Sequence, residues 1–255
     1  MKADKNNTAQ KLRNTLKEFQ IGYLSFCLLL LVSGCVEETP QPEPDEVVIA
    51  DTFESGMNGW EGGFADLPVD AHDRFELEVS LDNLPEETGE SGRAIRVQGQ
   101  NGSDDLFMFL KKEIGGLDPG ATYEVVFEVT LASSYPESSV GIGGSPGGSV
   151  FLKAGAVDRE PLPEPVEEAS TTYLRMNIDK GNQSQDGEDM YGLGTIGIEG
   201  DDFVYEMIMR DNGNRPQEVR ADSSGNLWLI VGTDSGFEGM TVLYYQEIKV
   251  TLTKK

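Results

Sequence analysis

The stretch Thr122–Leu131 alternates along its whole length. Tyr123, Val125, Phe127, Val129 and Leu131 are apolar, and all the intervening residues except Val126 are polar or charged. Successive side chains on a strand point to opposite faces, so this spacing dictates a β-strand with one buried face. Val47–Phe53 reads as a first strand, the same parity recurs in Phe75–Leu81 and Ala94–Gln98, and Leu106–Ile114 is a denser run that reads as a strand covered on both faces. Val150–Ala156, Tyr173–Asp179, Met190–Ile198, Phe203–Asp211, Asn226–Thr233 and Thr241–Thr253 continue the series. Asp158–Ala169 reads as an acidic, proline-bearing loop, and Asp222–Asn226 as a hairpin turn after a short strand. Glycine stands at 30 of 255 positions, above the usual share of about 7%, which supplies the tight turns that so many strands need. No window past the N-terminal apolar run sustains a helical period. About a dozen regularly spaced strands predict an all-β sandwich over residues 47–255.

Ahead of this domain the chain changes character. Met1–Gln20 carries Lys2, Lys5, Lys11, Arg13 and Lys17 against Asp4 and Glu18, and the apolar run Ile21–Val32 follows. A spanning helix needs about 20 apolar residues, so this run fits the apolar part of a signal peptide instead. It closes on Val32-Ser33-Gly34-Cys35, which resembles the lipobox of bacterial lipoproteins. The resemblance implies a signal peptide over 1–34, cleavage before Cys35, and acylation of its thiol and new amino terminus. Membrane lipid is then the first partner. Residues 35–46 form a linker in which Pro40, Pro42 and Pro44 favour an extended polyproline stalk. No aspartate follows Cys35, which resembles outer-membrane sorting, and the pair Glu37-Glu38 is similar to surface-export signals of some Bacteroidetes. The expected location is the outer membrane or cell surface. Cys27 would be discarded and Cys35 acylated, leaving no thiol for a disulfide, a metal site or a nucleophile.

Without Met1–Gly34 the chain keeps 15 basic and 43 acidic residues. So large a negative charge repels nucleic acid and anionic headgroups, and is compatible with neutral glycans, cationic partners or Ca²⁺. His72 is the single histidine, which rules out a site needing two or three imidazoles. Carboxylates are too many for sequence alone to select a pair for glycoside hydrolysis.

The opening Asp51-x-Phe53-Glu54-x-Gly56-x-x-Gly59-Trp60 resembles that of galactose-binding-like jelly rolls, the fold of many carbohydrate-binding modules. The closing Tyr244-Tyr245-Gln246-Glu247-Ile248-Lys249-Val250 is similar to their last strand. The resemblance implies a jelly-roll β-sandwich that binds a carbohydrate or another ligand without catalysis. A glycoside hydrolase or polysaccharide lyase on the same fold, or an envelope protein without a small ligand, are the alternatives. Arg175, Asn177 and Asp179 fall on one face of an expected strand, with Lys180 beside them and Lys153 on another strand. Trp60, Tyr191, Tyr173 and Trp228 are candidate stacking platforms, although Trp228 within Leu-Trp-Leu-Ile-Val suits a core. Asn182-x-Ser184-x-Asp186-Gly187 matches half of a calcium loop, but Leu193 stands where a glutamate is wanted. Asp186, Glu188 and Asp189 either coordinate Ca²⁺ with partners from another loop or form a solvated acidic hairpin. Gln246 shares parity with Val242, Tyr244, Ile248 and Val250, so it either faces inward or gives that place to Glu247. In the jelly rolls the matching residue often binds a structural Ca²⁺, and the resemblance implies that Gln246 meets the Phe53–Gly56 turn with Glu54 and Asp51 supplying charge. Replacing Cys35→Ala should abolish acyl labelling and release or stall the precursor; membrane attachment that survives the substitution overturns the lipobox assignment.

Overall fold

The computed structural model describes residues 45–255 apart from Ala71, Ser103, Asp104 and the side chain of His72. Cys35, the expected signal peptide over 1–34 and most of the expected linker lie outside the described residues. The strands in chain order are β1 (Glu46–Thr52), β2 (Glu61–Ala65), β3 (Leu67–Pro68), β4 (Glu78–Asn83) and β5 (Arg93–Gln100). They continue with β6 (Leu106–Ile114), β7 (Thr122–Ser133), β8 (Val150–Val157), β9 (Pro163–Glu168) and β10 (Thr171–Met176). The last five are β11 (Tyr191–Thr195), β12 (Glu206–Asp211), β13 (Gln217–Arg220), β14 (Leu227–Ser235) and β15 (Met240–Lys254). Among the described residues no helix is long and apolar enough to cross a membrane.

One sheet runs β12-β7-β15-β5-β4, with β1 also on β15 and β13 also on β7; a second runs β11-β8-β14-β6-β2. Strands β5, β6, β7 and β8 alternate between the two sheets, and β14 and β15 fill the two middles. This is a jelly-roll β-sandwich. Its core is built by the parity seen in sequence. Val125, Phe127, Val129 and Leu131 of β7 meet Leu106, Met108 and Leu110 of β6, Leu152 and Ala154 of β8, and Leu229 and Val231 of β14. Leu106–Ile114 is also buried on its other face, where Phe107 and Phe109 join Ile178, Met190 and Ile230 in a second cluster.

The sequence parity of the closing strand breaks at Gln246. The register of β15 on β7 shifts between Tyr245 and Glu247, a β-bulge. Leu243 and Tyr245 are buried before it, and Ile248, Val250 and Leu252 after it. Val242 and Tyr244 therefore face away from the core, and the bulge lets β15 pair with β5 through Met240–Tyr245 and with β1 through Glu247–Thr253.

Another expectation changes. The proline-bearing segment holds a strand, β9, which pairs with β10 in a three-stranded sheet β3-β10-β9. As an edge strand β9 tolerates Pro163 and Pro165, whose missing N–H groups cost no ladder bond. Strand β2 has no alternating apolar signal because Gly63 lies under the ring of Phe109, where an added Cβ would sit 2.4 Å from the ring.

Gln217 locks the two sheets at one edge. Strand β11 pairs with β8 only as far as Ala154, so the outer backbone of Ala156 has no strand beside it. The Gln217 side chain fills that place. Its Oε1 accepts from Ala156 N–H at 2.7 Å, and its Nε2 donates to the carbonyls of Ala156 at 3.2 Å and Asp189 at 3.0 Å. Gln217→Ala should lower stability by about 2–4 kcal/mol, because buried backbone groups lose their partners; chemical denaturation measures it.

Candidate functional site

The outward residues of the second sheet form ordered rows. Asp234 of β14 pairs with Phe107 of β6 and Phe151 of β8; two residues back, Gly232 pairs with Phe109 and Lys153. The chain from Asn177 to Met190 lies over this face. It packs so closely that a Cβ on Gly155 would stand 2.0 Å from the carbonyl oxygen of Asp189.

Beneath the loop is a group of buried charges. Lys153 is fully buried, and its ammonium donates to the carbonyls of Lys180 at 2.7 Å and Gln185 at 2.6 Å, with Asp234 at 3.7 Å. Lys180 donates to Asp234 Oδ2 at 2.7 Å and stands 2.9 Å from Asp66 Oδ2. Asp234 Oδ2 also accepts from the Gln183 amide at 2.8 Å. Arg175 reaches Asp66 at 2.9 Å, Asp105 at 3.3 Å and Glu168 at 2.8 and 3.0 Å, with its guanidinium over the ring of Tyr173.

These contacts set the protonation tendencies. Burial lowers the Lys153 ammonium against the opposing pull of Asp234. Burial also acts to lower Lys180, but Asp234 and Asp66 outweigh it and leave its pKa raised. Burial, then the neighbouring Asp66, raises the Asp105 carboxyl. Hydrogen bonds to Glu168 and Asp66 overcome partial burial and raise Arg175.

Of the expected ligand-binding residues, Arg175, Lys180 and Lys153 are thus brought together, but as internal counter-ions. Asn177 is not beside Arg175 on a binding face. The strand ends at Met176, and the Asn177 amide pins the preceding loop, accepting from Leu162 N–H at 2.9 Å and donating to the Glu160 carbonyl at 3.0 Å. Trp60 is no platform. It is 2% exposed in the main core and donates its indole N–H to Asp51 at 2.9 Å. Trp228 is half-buried against the second cluster, with Lys111 over its ring. Tyr191 is half-buried and carries the Arg215 guanidinium 4.7 Å from its ring centre.

Several of the residues expected to hold calcium are engaged by other groups of the protein. Asp51 is already paired with Lys112 at 2.6 Å, Glu54 is exposed, and half-buried Gln246 sits at the bulge without a hydrogen bond to Glu54. Asp186 accepts from Gly192 N–H and pairs with Arg215. Asp189 accepts from Asp179 N–H and pairs with Arg159, while Glu188 is exposed. Among the described residues the one carboxylate triad with oxygens within 4.8 Å of one another is Asp66, Asp105 and Asp234. The cation it holds is the Lys180 ammonium. None of these three aspartates stands out in sequence. Asp234 carries the only available signal, a charged residue at the end of the apolar run Leu227–Thr233.

Two clefts flank the loop. One, of about 260 Å³, is lined by Asp66, Asp105, Arg175, Asp179, Lys180 and Asn182 among others. The other, of about 330 Å³, is lined by Phe151, Gln183, Ser184, Asp186, Thr195 and Arg215, with Gly192 and Gly194. Its ring, amide, hydroxyls and carboxylate–guanidinium pair suit a polyhydroxylated ligand, and its volume falls at the lower end of the ~300–1,000 Å³ of ligand pockets.

No family model matches this sequence, and no curated protein matches it. Several solved structures show a low likeness. Over 84% of this chain and 29% of the other, it is 18% identical to the binding-module and xylanase modules of Clostridium thermocellum endo-1,4-β-D-xylanase 10B, complexed with xylohexaose, at a TM-score of 0.36. Over 83% and 99% it is 9% identical to a mannan-recognising carbohydrate-binding module, at 0.37. Over 80% and 97% it is 11% identical to a cleaved adhesin domain of Lys-gingipain from Porphyromonas gingivalis, at 0.37. Likeness at this level assigns no family.

The loop itself offers a pH test. Asp179 accepts from Glu188 N–H and Gly181 N–H, each at 3.0 Å, and these bonds hold its carboxyl below the usual range. Its stabilising contribution is present above the ordinary aspartate pKa of about 4 and is lost as pH falls through the lower folded value. Asp179→Asn should therefore lower the melting temperature at pH 7, and the gap from wild type should close on acidification below about pH 4.

Proposed function

We propose that the chain is a lipid-anchored extracytoplasmic protein whose jelly roll binds a neutral glycan, without cleaving it, in the cleft over Phe151. The observation that carries this reading is the composition of that cleft. A half-buried aromatic ring is surrounded by Gln183, Ser184, Asp186, Thr195 and Arg215. A sugar offers apolar C–H faces to an aromatic ring and hydroxyls that both donate and accept, which this set can match. Gly192 and Gly194 project no side chain into the opening. Asp186 and Arg215 form an ion pair, so the cleft presents no unbalanced charge to a neutral ligand. The Val32-Ser33-Gly34-Cys35 signature supports the anchor, and the acidic composition disfavours nucleic acid.

The test is an array of polysaccharides and oligosaccharides, scored for retention and for release of reducing ends. Retention without release is expected. Phe151→Ala and Arg215→Ala should each weaken binding by about 1–3 kcal/mol, whereas Lys249→Ala, on the other sheet, should leave it unchanged. Equal retention by all three variants would move the site elsewhere, and release of reducing ends would make the protein an enzyme.

A further inference from the structure

The buried charges contain one arrangement that no binding role uses. The Lys180 ammonium lies between two carboxylates, 2.7 Å from Asp234 Oδ2 and 2.9 Å from Asp66 Oδ2. Side-chain exposures are 9% for Lys180, 5% for Asp66 and 0% for Asp234. The Phe107 ring, 5.1 Å from Nζ, keeps water from one side of the ammonium. Arg175 Nη1 donates to the other oxygen of Asp66, Oδ1, at 2.9 Å. Asp105 completes the triad, and Asp105 Oδ1 and Asp234 Oδ1 are buried oxygens without a hydrogen-bond partner.

We infer that Lys180 and Asp66 condense into an intramolecular amide, a covalent staple between the loop after β10 and the turn after β2. The reaction balances within the protein. An ammonium and a carboxylate become one amide and one water, with no oxidant, reductant or activating group. Asp234 Oδ2, already hydrogen-bonded to Nζ, takes a proton from the ammonium and frees its lone pair. Nζ attacks Asp66 Cγ, and the C–N bond forms. Arg175 Nη1 holds the charge that develops on Oδ1, as an oxyanion donor does. Nζ gives up a second proton once the C–N bond has formed and keeps one as the amide N–H. The two protons pass to Oδ2 through Asp234 and Asp105, the C–O bond breaks, and water leaves into the cleft that Asp66 and Lys180 both line. The burial that raises the Asp105 carboxyl suits it to pass a proton on. Fixing amine and carbonyl at contact distance supplies the proximity that free amines and carboxylates lack in water.

Charge balance selects Asp66 over Asp234 as the carbonyl donor. After condensation at Asp66, Asp234 keeps the Gln183 amide and Lys153, and Asp105 keeps Arg175. Condensation at Asp234 would instead strip fully buried Lys153 of its carboxylate, and an unpaired buried ammonium is costly. The amide also removes two buried charges whose desolvation the ion pair only partly offsets.

Peptide mapping decides the matter. The full chain is purified, denatured and digested with trypsin, and the peptides are sequenced by mass spectrometry. The expected result is a pair joined through Asp66 and Lys180, lighter by one water than the separate peptides, with no cleavage after Lys180. Lys180→Arg keeps the positive charge but cannot form the amide, so its peptides should all be linear and the denatured chain should migrate more slowly in a gel. Linear wild-type peptides with normal cleavage after Lys180 overturn the proposal, and a Lys180–Asp234 link overturns the choice of partner. The mapping needs no glycan, so its outcome is independent of the cleft over Phe151.

Discussion

The outer face of the second sheet is held shut by the charges around Lys180. Phe107, Phe109 and Ile230 point outward from a sandwich whose inner core is already complete, and an uncovered apolar face of this kind invites association. The chain after β10 covers it, yet contributes little hydrophobic grip of its own: Ile178 and Met190 are its two buried apolar side chains. Lys180, Lys153 and Asp234 supply the rest. Because both lysines are bonded to loop carbonyls or sheet carboxylates under the loop, opening the loop would hydrate them but also break every one of those bonds at once. Buried ion groups seldom add much net stability, but they penalise alternative arrangements heavily. What this one specifies is a single seat for the loop, and the walls of both clefts depend on that seat.

The fold was legible to the degree that one-faced burial shapes the sequence. Leu106–Ile114 and Thr122–Leu131 announced themselves because every core contact falls on one parity, or because both faces are covered. The reading failed where something other than burial set the backbone. At Gln246 one inserted residue reverses the parity, and a bulge leaves no mark in a strand whose residues are apolar or aromatic on both sides of it. At β9 the prolines argued against pairing, which holds for a central strand but not for an edge. At β2 the glycines removed the alternation itself.

The site was half legible for a different reason. In a chain this acidic, basic residues are scarce enough to notice, so Lys153, Arg175 and Lys180 drew attention and are indeed neighbours. Their partners Asp66, Asp105 and Asp234 could not be told from some forty other carboxylates, since what distinguishes them is burial contributed by distant segments. Asp186 and Asp189, read as calcium candidates, accept from the amides of Gly192 and Asp179, and Asp179 accepts from those of Gly181 and Glu188. Carboxylates that accept backbone hydrogen bonds can order a tight loop without an ion, and sequence spacing alone does not separate the two uses.

This internal arrangement also bears on the kind of ligand the surface can meet. Asp66, Asp105 and Asp234 are matched by Lys153, Lys180 and Arg175, and Asp186 is matched by Arg215. Much of the domain's negative charge stands on exposed side chains such as Glu164, Glu167, Asp201 and Asp202. Screening confines the field of such charges to about 8–10 Å at physiological ionic strength. An anionic polymer would feel that field all along its length, whereas an uncharged chain would feel only the cleft, where the charges are balanced and the contacts are hydroxyl, amide and ring. Under the proposed reading, composition disfavours anionic partners at long range, and the paired groups of the cleft would select among those that remain.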